Sequence, residues 1–218
     1  MNTKRILFWA GFIIVLVLIM WGLVVAMGRT PVAPGSNLGE PASISATDNI
    51  IGPADAPVTI IEYSDYQCPA CQVYNFVVER LLASSTVPIR LVYRHFPLPY
   101  HKNALNAAMA VEASGLQGKY WEMHKLVFDN QLDWEESSDA YLIFSKYADE
   151  IGLNKEKFAI DYNSQVLKDK INAQKDEGVK IGVGGTPTFF INGKAIDNPR
   201  SYDEFKTIIE KSAQENIK

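Results

Sequence analysis

Cysteine is scarce in this sequence, since a chain of 218 residues contains only two. A small secreted protein that depends on disulfide bonds would carry four or more, so that class of scaffold is excluded. Cys68 and Cys71 lie one helical turn apart, and a bridge between them would close a very short loop and remove little entropy from the unfolded chain. The pair therefore favours a chemical role, with an inert structural bridge as the alternative.

Histidine is also rare, and its positions argue against a metal centre. A structural zinc site needs four ligands, but the sequence has no second cysteine pair, and His95, His101 and His124 are scattered. The acidic residues between 133 and 139 show no calcium-binding loop motif and are predicted to form a solvated loop and a helix start. We therefore expect no metal ion, and no cofactor other than a redox-active disulfide.

Acidic residues are absent from the first part of the chain, where none precedes Glu40. The basic residues Lys4, Arg5 and Arg29 lie in that part, so the remainder is more acidic than the net charge of −4 of the whole chain. An acidic domain is poorly suited to bind nucleic acid or an anionic lipid surface. We therefore expect neither as a partner.

The segment from Ile6 to Met27 contains no charged residue. As a helix rising about 1.5 Å per residue it would be about 33 Å long, enough to cross a hydrocarbon core of about 30 Å. Lys4 and Arg5 precede it, so the positive-inside rule predicts a cytoplasmic amino terminus. A cleaved signal peptide is the alternative, although this run is long for one and ends in a poor cleavage site. Both interpretations place the remaining chain outside the cytoplasm.

Composition divides the chain into three parts. Residues 1–29 are predicted to be a single-pass anchor in the cell membrane. Residues 30–47, rich in proline, glycine and serine, are predicted to be a flexible linker. Residues 48–218 are sufficient for one domain with its own core, which we expect to act as a monomer on the extracytoplasmic face.

The start of the domain has the pattern of a parallel strand–helix–strand unit. Residues 57–63 form a continuous β-branched run, which predicts a strand buried on both faces. Residues 68–83 follow with apolar side chains at helical spacing, and residues 88–93 read as a second strand. This order predicts a right-handed crossover within an α/β fold.

Helical patterns alone occupy the chain from about residue 99 to 163, which predicts an all-helical insertion. A long helix over about 164–177 leads back to the sheet. Asn192-Gly193 between two short apolar runs predicts a hairpin, and Ser201 with Glu204 forms a capping box that opens a final helix. The sheet is therefore expected to come from the two ends of the domain.

The cysteine pair follows a predicted buried strand and opens a predicted helix. A thiol at that position faces unpaired N–H groups and the positive end of the helix dipole, and both favour the thiolate. Cys68 is therefore expected to be the nucleophile, and Cys71, one turn further into the helix, the resolving thiol. Pro69 suits the first turn, where its missing N–H removes no hydrogen bond.

Two further positions are candidates for the site. Glu62 interrupts an otherwise apolar strand, so its carboxyl is expected to be partly buried with a raised pKa and could exchange a proton with Cys71. The alternative is a surface residue on an edge strand. Pro187 heads the predicted hairpin, and the local sequence leaves open whether its peptide bond is cis or trans.

Three motifs together resemble a known family. They are Gly-x-x-Asp-Ala-Pro-Val at 52–58, Ser-Asp-Tyr-Gln-Cys-Pro-x-Cys at 64–71, and Gly-Gly-Thr-Pro-Thr-Phe-Phe-Ile-Asn-Gly-Lys at 184–194. The chain from about residue 50 to 218 resembles bacterial thiol–disulfide oxidoreductases of the DsbA-like type, above all membrane-anchored BdbD-like forms. The resemblance implies a thioredoxin-like α/β fold with an inserted all-helical subdomain, here preceded by one transmembrane helix.

The resemblance also implies roles for individual residues. Pro187 is expected to be cis and to face the cysteine pair, with Thr186 beside it, and Glu62 is expected to occupy the buried acid position of the family. Ala70 departs from the pattern, because the best-known DsbA enzymes carry histidine before the second cysteine. Since a cation there helps to stabilise the thiolate, its absence predicts a weaker oxidant.

The expected function is donation of disulfide bonds to thiols of secreted or membrane proteins through Cys68 and Cys71. The resemblance implies reoxidation by a quinone-linked membrane partner of the DsbB-like or VKOR-like type. One alternative is a reductase or isomerase that uses the same residues in the opposite direction. The other is a tethered thioredoxin-fold binding module with an inert disulfide.

Overall fold

The computed structural model describes residues 38–216 together with five helical residues nearer the amino terminus, Trp9, Phe12, Ile13, Leu16 and Met20. The chain divides into two compact units between Pro34 and Gly35. The predicted anchor over residues 1–29 lies almost entirely outside the described residues. Within the part that is described, no helix combines the length and apolar character needed to cross a bilayer.

A five-stranded mixed sheet forms the centre of the second unit, with the strand order β1–β3–β2–β4–β5. The strands are β1 (Asn49–Ile51), β2 (Val58–Ser64), β3 (Ile89–His95), β4 (Thr188–Ile191) and β5 (Lys194–Ile196). Strands β2 and β3 are parallel, and the other neighbouring pairs are antiparallel. The sheet is therefore assembled from the two ends of the domain, as the sequence predicts.

Eight helices accompany the sheet in the described part of the chain. They are α1 (Pro69–Ser84), α2 (Ala104–Gly115), α3 (Tyr120–Asp129), α4 (Gln131–Trp134), α5 (Ala140–Glu150), α6 (Lys155–Tyr162), α7 (Gln165–Lys180) and α8 (Tyr202–Asn216). Helices α2 to α6 form the predicted all-helical insertion. The single-turn helix α4 is not apparent from the sequence, because four residues are too few to show a helical period.

The two faces of the sheet bury different helices. Val58 and Ile60 of β2 share one face with apolar residues of α1 and α8. Ile61 and Tyr63 point to the other face, which α7 covers. Gly178 allows that close approach, because a Cβ there would lie 2.9 Å from the ring of Phe96. Strand β2 is thus buried on both sides, as its continuous β-branched run predicts.

The end of the predicted linker is docked onto the domain. Gly39 donates its N–H to the carbonyl of Ile181 at 2.8 Å, and Ala42 accepts a hydrogen bond from Arg94 at 2.9 Å. The domain therefore begins before the predicted boundary at residue 48. A segment rich in small residues can still be ordered when the domain supplies partners for its backbone groups.

The first strand, β1, was not predicted. It is only three residues long and pairs antiparallel with β3 at the edge of the sheet, with Ile50 opposite Val92. So short a strand offers no alternation of polar and apolar residues to detect. Its backbone pairing with β3 places it in the sheet.

Candidate active site

Cys68 lies at the start of α1, where it occupies the N-cap position and Pro69 begins the helix. Its carbonyl accepts the first helical hydrogen bond, from the N–H of Gln72 at 3.1 Å. Cys68 has extended backbone angles (φ −76°, ψ 121°), as expected for an N-cap residue. The thiol therefore lies at the N-terminal end of α1, near N–H groups that have no helical partner, although its sulfur accepts no capping hydrogen bond.

The two thiols have different exposure: Cys68 is 8% exposed, whereas Cys71 is completely buried. The interaction with the Cys71 thiol, followed by those with the Thr186 side chain and the N–H groups of Cys71 and Ala70, outweighs desolvation and lowers the pKa of Cys68 to about 5. Burial, and then the interaction with Cys68, raises the pKa of Cys71 well above its ordinary value. At neutral pH the pair therefore carries one thiolate, on Cys68.

The loop before β4 lies against Cys68. The peptide bond between Thr186 and Pro187 is cis, and the Cys68 thiol lies 3.5 Å from the carbonyl oxygen of Thr186. Asn198 donates to the carbonyl of Pro187 at 2.9 Å, and the Thr188 hydroxyl donates to the carbonyl of Gly185 at 2.8 Å. The structure therefore brings Thr186 and Pro187 to the cysteine pair, and the cis peptide that the resemblance implies is present.

Glu62 lies on the central strand and is 2% exposed. In the sheet it is opposite Tyr93 on one side and Phe189 on the other. Desolvation raises the pKa of its carboxyl to about 7, and its negative charge contributes to the raised pKa of Cys71. The edge-strand alternative is therefore wrong, and Glu62 lies within electrostatic reach of Cys71.

Asp65 organises the loop that connects β2 to Cys68. One carboxylate oxygen accepts the N–H of Gln67 at 2.7 Å, and the other accepts the N–H of Leu98 at 2.8 Å and faces Nδ1 of His101 at 2.7 Å. Its carbonyl accepts the N–H of Cys68 at 3.1 Å. In the sequence Asp65 stands out only as part of a motif, because Leu98 and His101, which contact its carboxylate, lie in a distant segment.

The three histidines occupy separate places, each with its own protein partner. His95 lies 2.8 Å from Glu112, and His101 pairs with Asp65. His124 lies 2.8 Å from the Tyr66 hydroxyl and donates to the side-chain oxygen of Asn75 at 2.9 Å. Desolvation by burial lowers the pKa of His124 to about 3, so this imidazole is neutral.

Comparison with known proteins supports a family assignment. Residues 45–211 match the family described as Thioredoxin. The Na(+)/H(+) antiporter NhaA 3 of Salinispora tropica is 35% identical over 163 residues, which cover 74% of this chain and 24% of the antiporter. The chain spans about a quarter of the length of the curated relatives it matches.

Solved structures match over a larger share of both chains. Oxidised BdbD from Bacillus subtilis superposes with a TM-score of 0.71 at 25% identity, and the match covers 82% of this chain and 98% of BdbD. The α-DsbA1 protein of Wolbachia pipientis gives a TM-score of 0.71 at 24% identity and shares the fold. The chain therefore belongs to the thioredoxin family, and its domain shares the fold of BdbD and α-DsbA1.

Proposed function

We propose that this protein donates disulfide bonds to the thiols of other proteins through Cys68 and Cys71. The observation that carries the proposal is the placement of the two thiols: Cys68 lies at the N-cap of α1 beside the carbonyl of Thr186, and Cys71 is completely buried one turn further into the helix. This placement lowers the pKa of Cys68 and raises that of Cys71. A thiol with a low pKa is a good leaving group in thiol–disulfide exchange. Cys68 is therefore suited to leave a mixed disulfide, which is the final step of donation.

Each exchange step transfers one bond between sulfur atoms. A substrate thiolate attacks Sγ of Cys68, the Cys68–Cys71 bond breaks, and Cys71 leaves as a thiolate. A second thiolate of the substrate then attacks the first substrate sulfur, the mixed disulfide breaks, and Cys68 leaves as a thiolate. The substrate gains one disulfide and loses two electrons, which remain on the reduced cysteine pair.

Glu62 is the proposed proton donor to Cys71. The Cys71 thiolate forms at a buried position where its pKa is strongly raised, so it takes up a proton. Glu62 has a pKa of about 7 and is therefore partly protonated at neutral pH. In this role the buried carboxyl gives its proton to Cys71 during donation and receives it back when the pair is reoxidised.

Thr186 and Pro187 are proposed to face the substrate. The Thr186 carbonyl lies 3.5 Å from the Cys68 sulfur, which places this loop beside the position where a mixed disulfide would form. No cofactor beyond the cysteine pair is needed for the exchange itself. Reoxidation requires an electron acceptor, for which we propose a quinone-linked membrane protein of the DsbB-like or VKOR-like type.

The proposed location is the extracytoplasmic face of the cell membrane, with the uncharged segment from Ile6 to Met27 as the anchor. Disulfides form and persist outside the cytoplasm. Protein thiols emerging on that face would be the substrates.

Trapping of mixed disulfides tests the proposed roles of the two cysteines. We expect Cys71→Ser to accumulate mixed disulfides with protein substrates, because the Cys68 thiolate can attack a substrate disulfide and displace one of its sulfurs, but no Cys71 thiol remains to break the mixed disulfide that forms. The matched variant Cys68→Ser should accumulate few, since Cys71 is completely buried. Adducts are counted on non-reducing gels and located by mass spectrometry. Equal trapping by both variants, or trapping by Cys68→Ser alone, would contradict the assignment.

A further inference from the structure

The helical insertion reaches the loop of the nucleophile through a buried carboxamide. Gln131 begins α4, is 1% exposed, and donates from its side-chain nitrogen to two carbonyls of the active-site loop. These are the carbonyl of Tyr66 at 2.6 Å and the carbonyl of Cys68 at 3.2 Å. A carboxamide has two N–H donors, so one side chain satisfies both carbonyls.

The same loop is held from the insertion at a second point. The side-chain oxygen of Gln67 accepts the N–H of Asn103 at 2.6 Å, and its side-chain nitrogen donates to the carbonyl of Glu135 at 2.9 Å. The side-chain nitrogen of Asn103 lies within 3.1 Å of three carbonyls, those of Trp134, Glu135 and Ser137. The segment that follows α4 is therefore fixed to the active-site loop by Gln67, both directly and through Asn103.

Orientation of this loop affects the reactivity of Cys68. The interactions that lower the pKa of Cys68, with Cys71, with Thr186 and with the first-turn N–H groups, all depend on where its sulfur lies. The position of the sulfur follows from the backbone of Cys68, and Gln131 holds the carbonyl of that residue. Loss of the Gln131 donor would leave the Tyr66 carbonyl without this partner inside the protein, which favours rotation of the loop towards another donor.

We propose that Gln131 is a positioning residue that holds the carbonyls of Tyr66 and Cys68 and so keeps the Cys68 sulfur at the N-terminal end of α1, beside the carbonyl of Thr186. The proposal rests on the proposed function, since it concerns the reactive form of the nucleophile. It assigns the insertion a part in setting thiol reactivity, in addition to any contact with substrates. Gln131 acts through the backbone and does not touch the reacting sulfur atoms.

The pH dependence of alkylation at Cys68 tests this proposal. The full-length chain, reduced and purified in detergent, is treated with iodoacetamide from pH 4 to 9, and the modified residue is identified by mass spectrometry. Gln131→Met keeps the size of the side chain but removes both donors. We expect the midpoint of Cys68 alkylation to rise by about half a pH unit or more, with a rate below the midpoint about three- to tenfold lower.

Gln72→Met is the matched control. The Gln72 side chain also joins α1 to the insertion, through a bond of 2.7 Å to the carbonyl of Phe128, but it does not contact the active-site loop. We expect this variant to lose stability comparably and to keep the wild-type alkylation midpoint. Should both variants lower the melting temperature while leaving the midpoint unchanged, Gln131 would be merely structural and the proposal would be overturned.

A second variant keeps the test decisive if Gln131→Met does not give a cooperative thermal transition. Gln131→Leu is uncharged, of similar volume and without a donor to either carbonyl, and the Cys68 midpoint should again rise. An unchanged midpoint in Gln131→Leu would also overturn the proposal. A wild-type protein whose Cys68 titrates like an ordinary thiol would instead contradict the proposed function, so the two failures are distinguishable.

Discussion

Cys68 and Cys71 are identical side chains one helical turn apart, yet their surroundings displace the two pKa values in opposite directions. Cys68 is at the N-cap, where the Cys71 thiol, followed by Thr186 and the N–H groups of the first turn, stabilises its thiolate. Cys71 is completely buried and near the charge of Glu62. The chemistry of the pair follows from this difference in position, because the more stable thiolate is the better leaving group.

The buried carboxyl of Glu62 is expected to make stability depend on pH. Its folded-state pKa of about 7 lies above the ordinary value of 4.5. The contribution of Glu62 to the free energy of unfolding is therefore fully present below about pH 4.5 and is lost as the pH rises through 7. In the oxidised protein, which has no free thiols, Glu62→Gln should remove this fall. At pH 8 the variant should be more stable than wild type by up to about 3 kcal/mol, as measured by urea unfolding.

The control for this prediction is an exposed carboxyl. Glu156→Gln, on the exposed first turn of α6, should change the unfolding free energy by about 0.5 kcal/mol or less at either pH. An equal effect of the two variants, or no difference between Glu62→Gln and wild type at pH 8, would mean that folding does not raise the pKa of the Glu62 carboxyl.

Turnover should also depend on Glu62. If this carboxyl supplies a proton to Cys71, Glu62→Gln should slow oxidation of a dithiol peptide by about 10²-fold or less. The limb of the pH–rate profile near pH 7 should disappear. A slower enzyme with an unchanged profile would leave Glu62 as a structural residue.

At the scale of elements, Arg94 of β3 joins three parts of the fold on the sheet face away from α1. It makes a two-pronged ion pair with Asp48, with both distances 3.1 Å, and also lies 3.4 Å from Glu177 of α7. It donates to the carbonyl of Ala42 in the docked segment before β1. Arg94 is 3% exposed, so the pair is shielded from water.

Removal of one partner of this buried ion pair should lower the free energy of unfolding substantially. Arg94→Met is expected to destabilise the protein by about 3–5 kcal/mol, because Asp48 and Glu177 would lose their buried counter-charge. Lys119→Ala, which breaks the exposed pair of Lys119 with Glu122, should cost about 1 kcal/mol or less. Equal losses in urea unfolding would mean that the docked segment contributes little to stability.

At the scale of the whole molecule, the reduced form is expected to be the more stable one above pH 5. The Cys68 thiolate exists only in the reduced protein, and its folded pKa of about 5 lies below the ordinary value of 9. Stability from a lowered pKa is present above the unfolded value and is lost as pH falls through the folded value. The reduced protein should therefore melt higher than the oxidised one at pH 8.

Thermal melts with and without dithiothreitol measure this difference on residues 35–218, the second compact unit. The difference in melting temperature between the reduced and oxidised forms should become smaller as the pH is lowered towards 5. The difference should be modest even at pH 8, because Ala70 supplies no cation to stabilise the thiolate. An oxidised form that melts clearly higher at pH 8 would contradict disulfide donation and favour the reductase direction.

Membrane topology is the second expectation for the whole chain. With Lys4 and Arg5 on the cytoplasmic side of the anchor, the domain should lie on the outer face. Protease added to intact spheroplasts should remove the domain, while a cytoplasmic marker protein remains intact. Full protection of the domain would contradict the predicted orientation.

Local sequence determined those features that depend on neighbouring residues. The β-branched run of β2, the helix that begins after Cys68, the Asn192-Gly193 hairpin and the helical insertion are all present in the structure where the periodicity predicts them. The reactive cysteine pair is also a local feature, because two cysteines three residues apart at a helix start are recognisable from residue type and spacing alone. These features needed no knowledge of distant contacts.

Only the tertiary structure decided which distant groups surround the cysteines. The burial of Glu62 depends on the strands that pair with β2 on both sides. The Asp65 carboxylate and the Cys68 carbonyl each also have partners more than thirty positions away. No local pattern marks Gln131, since a glutamine at a short helix start is ordinary on any surface. Its role follows from burial, which turns an unremarkable amide into the partner of two backbone carbonyls that water cannot reach.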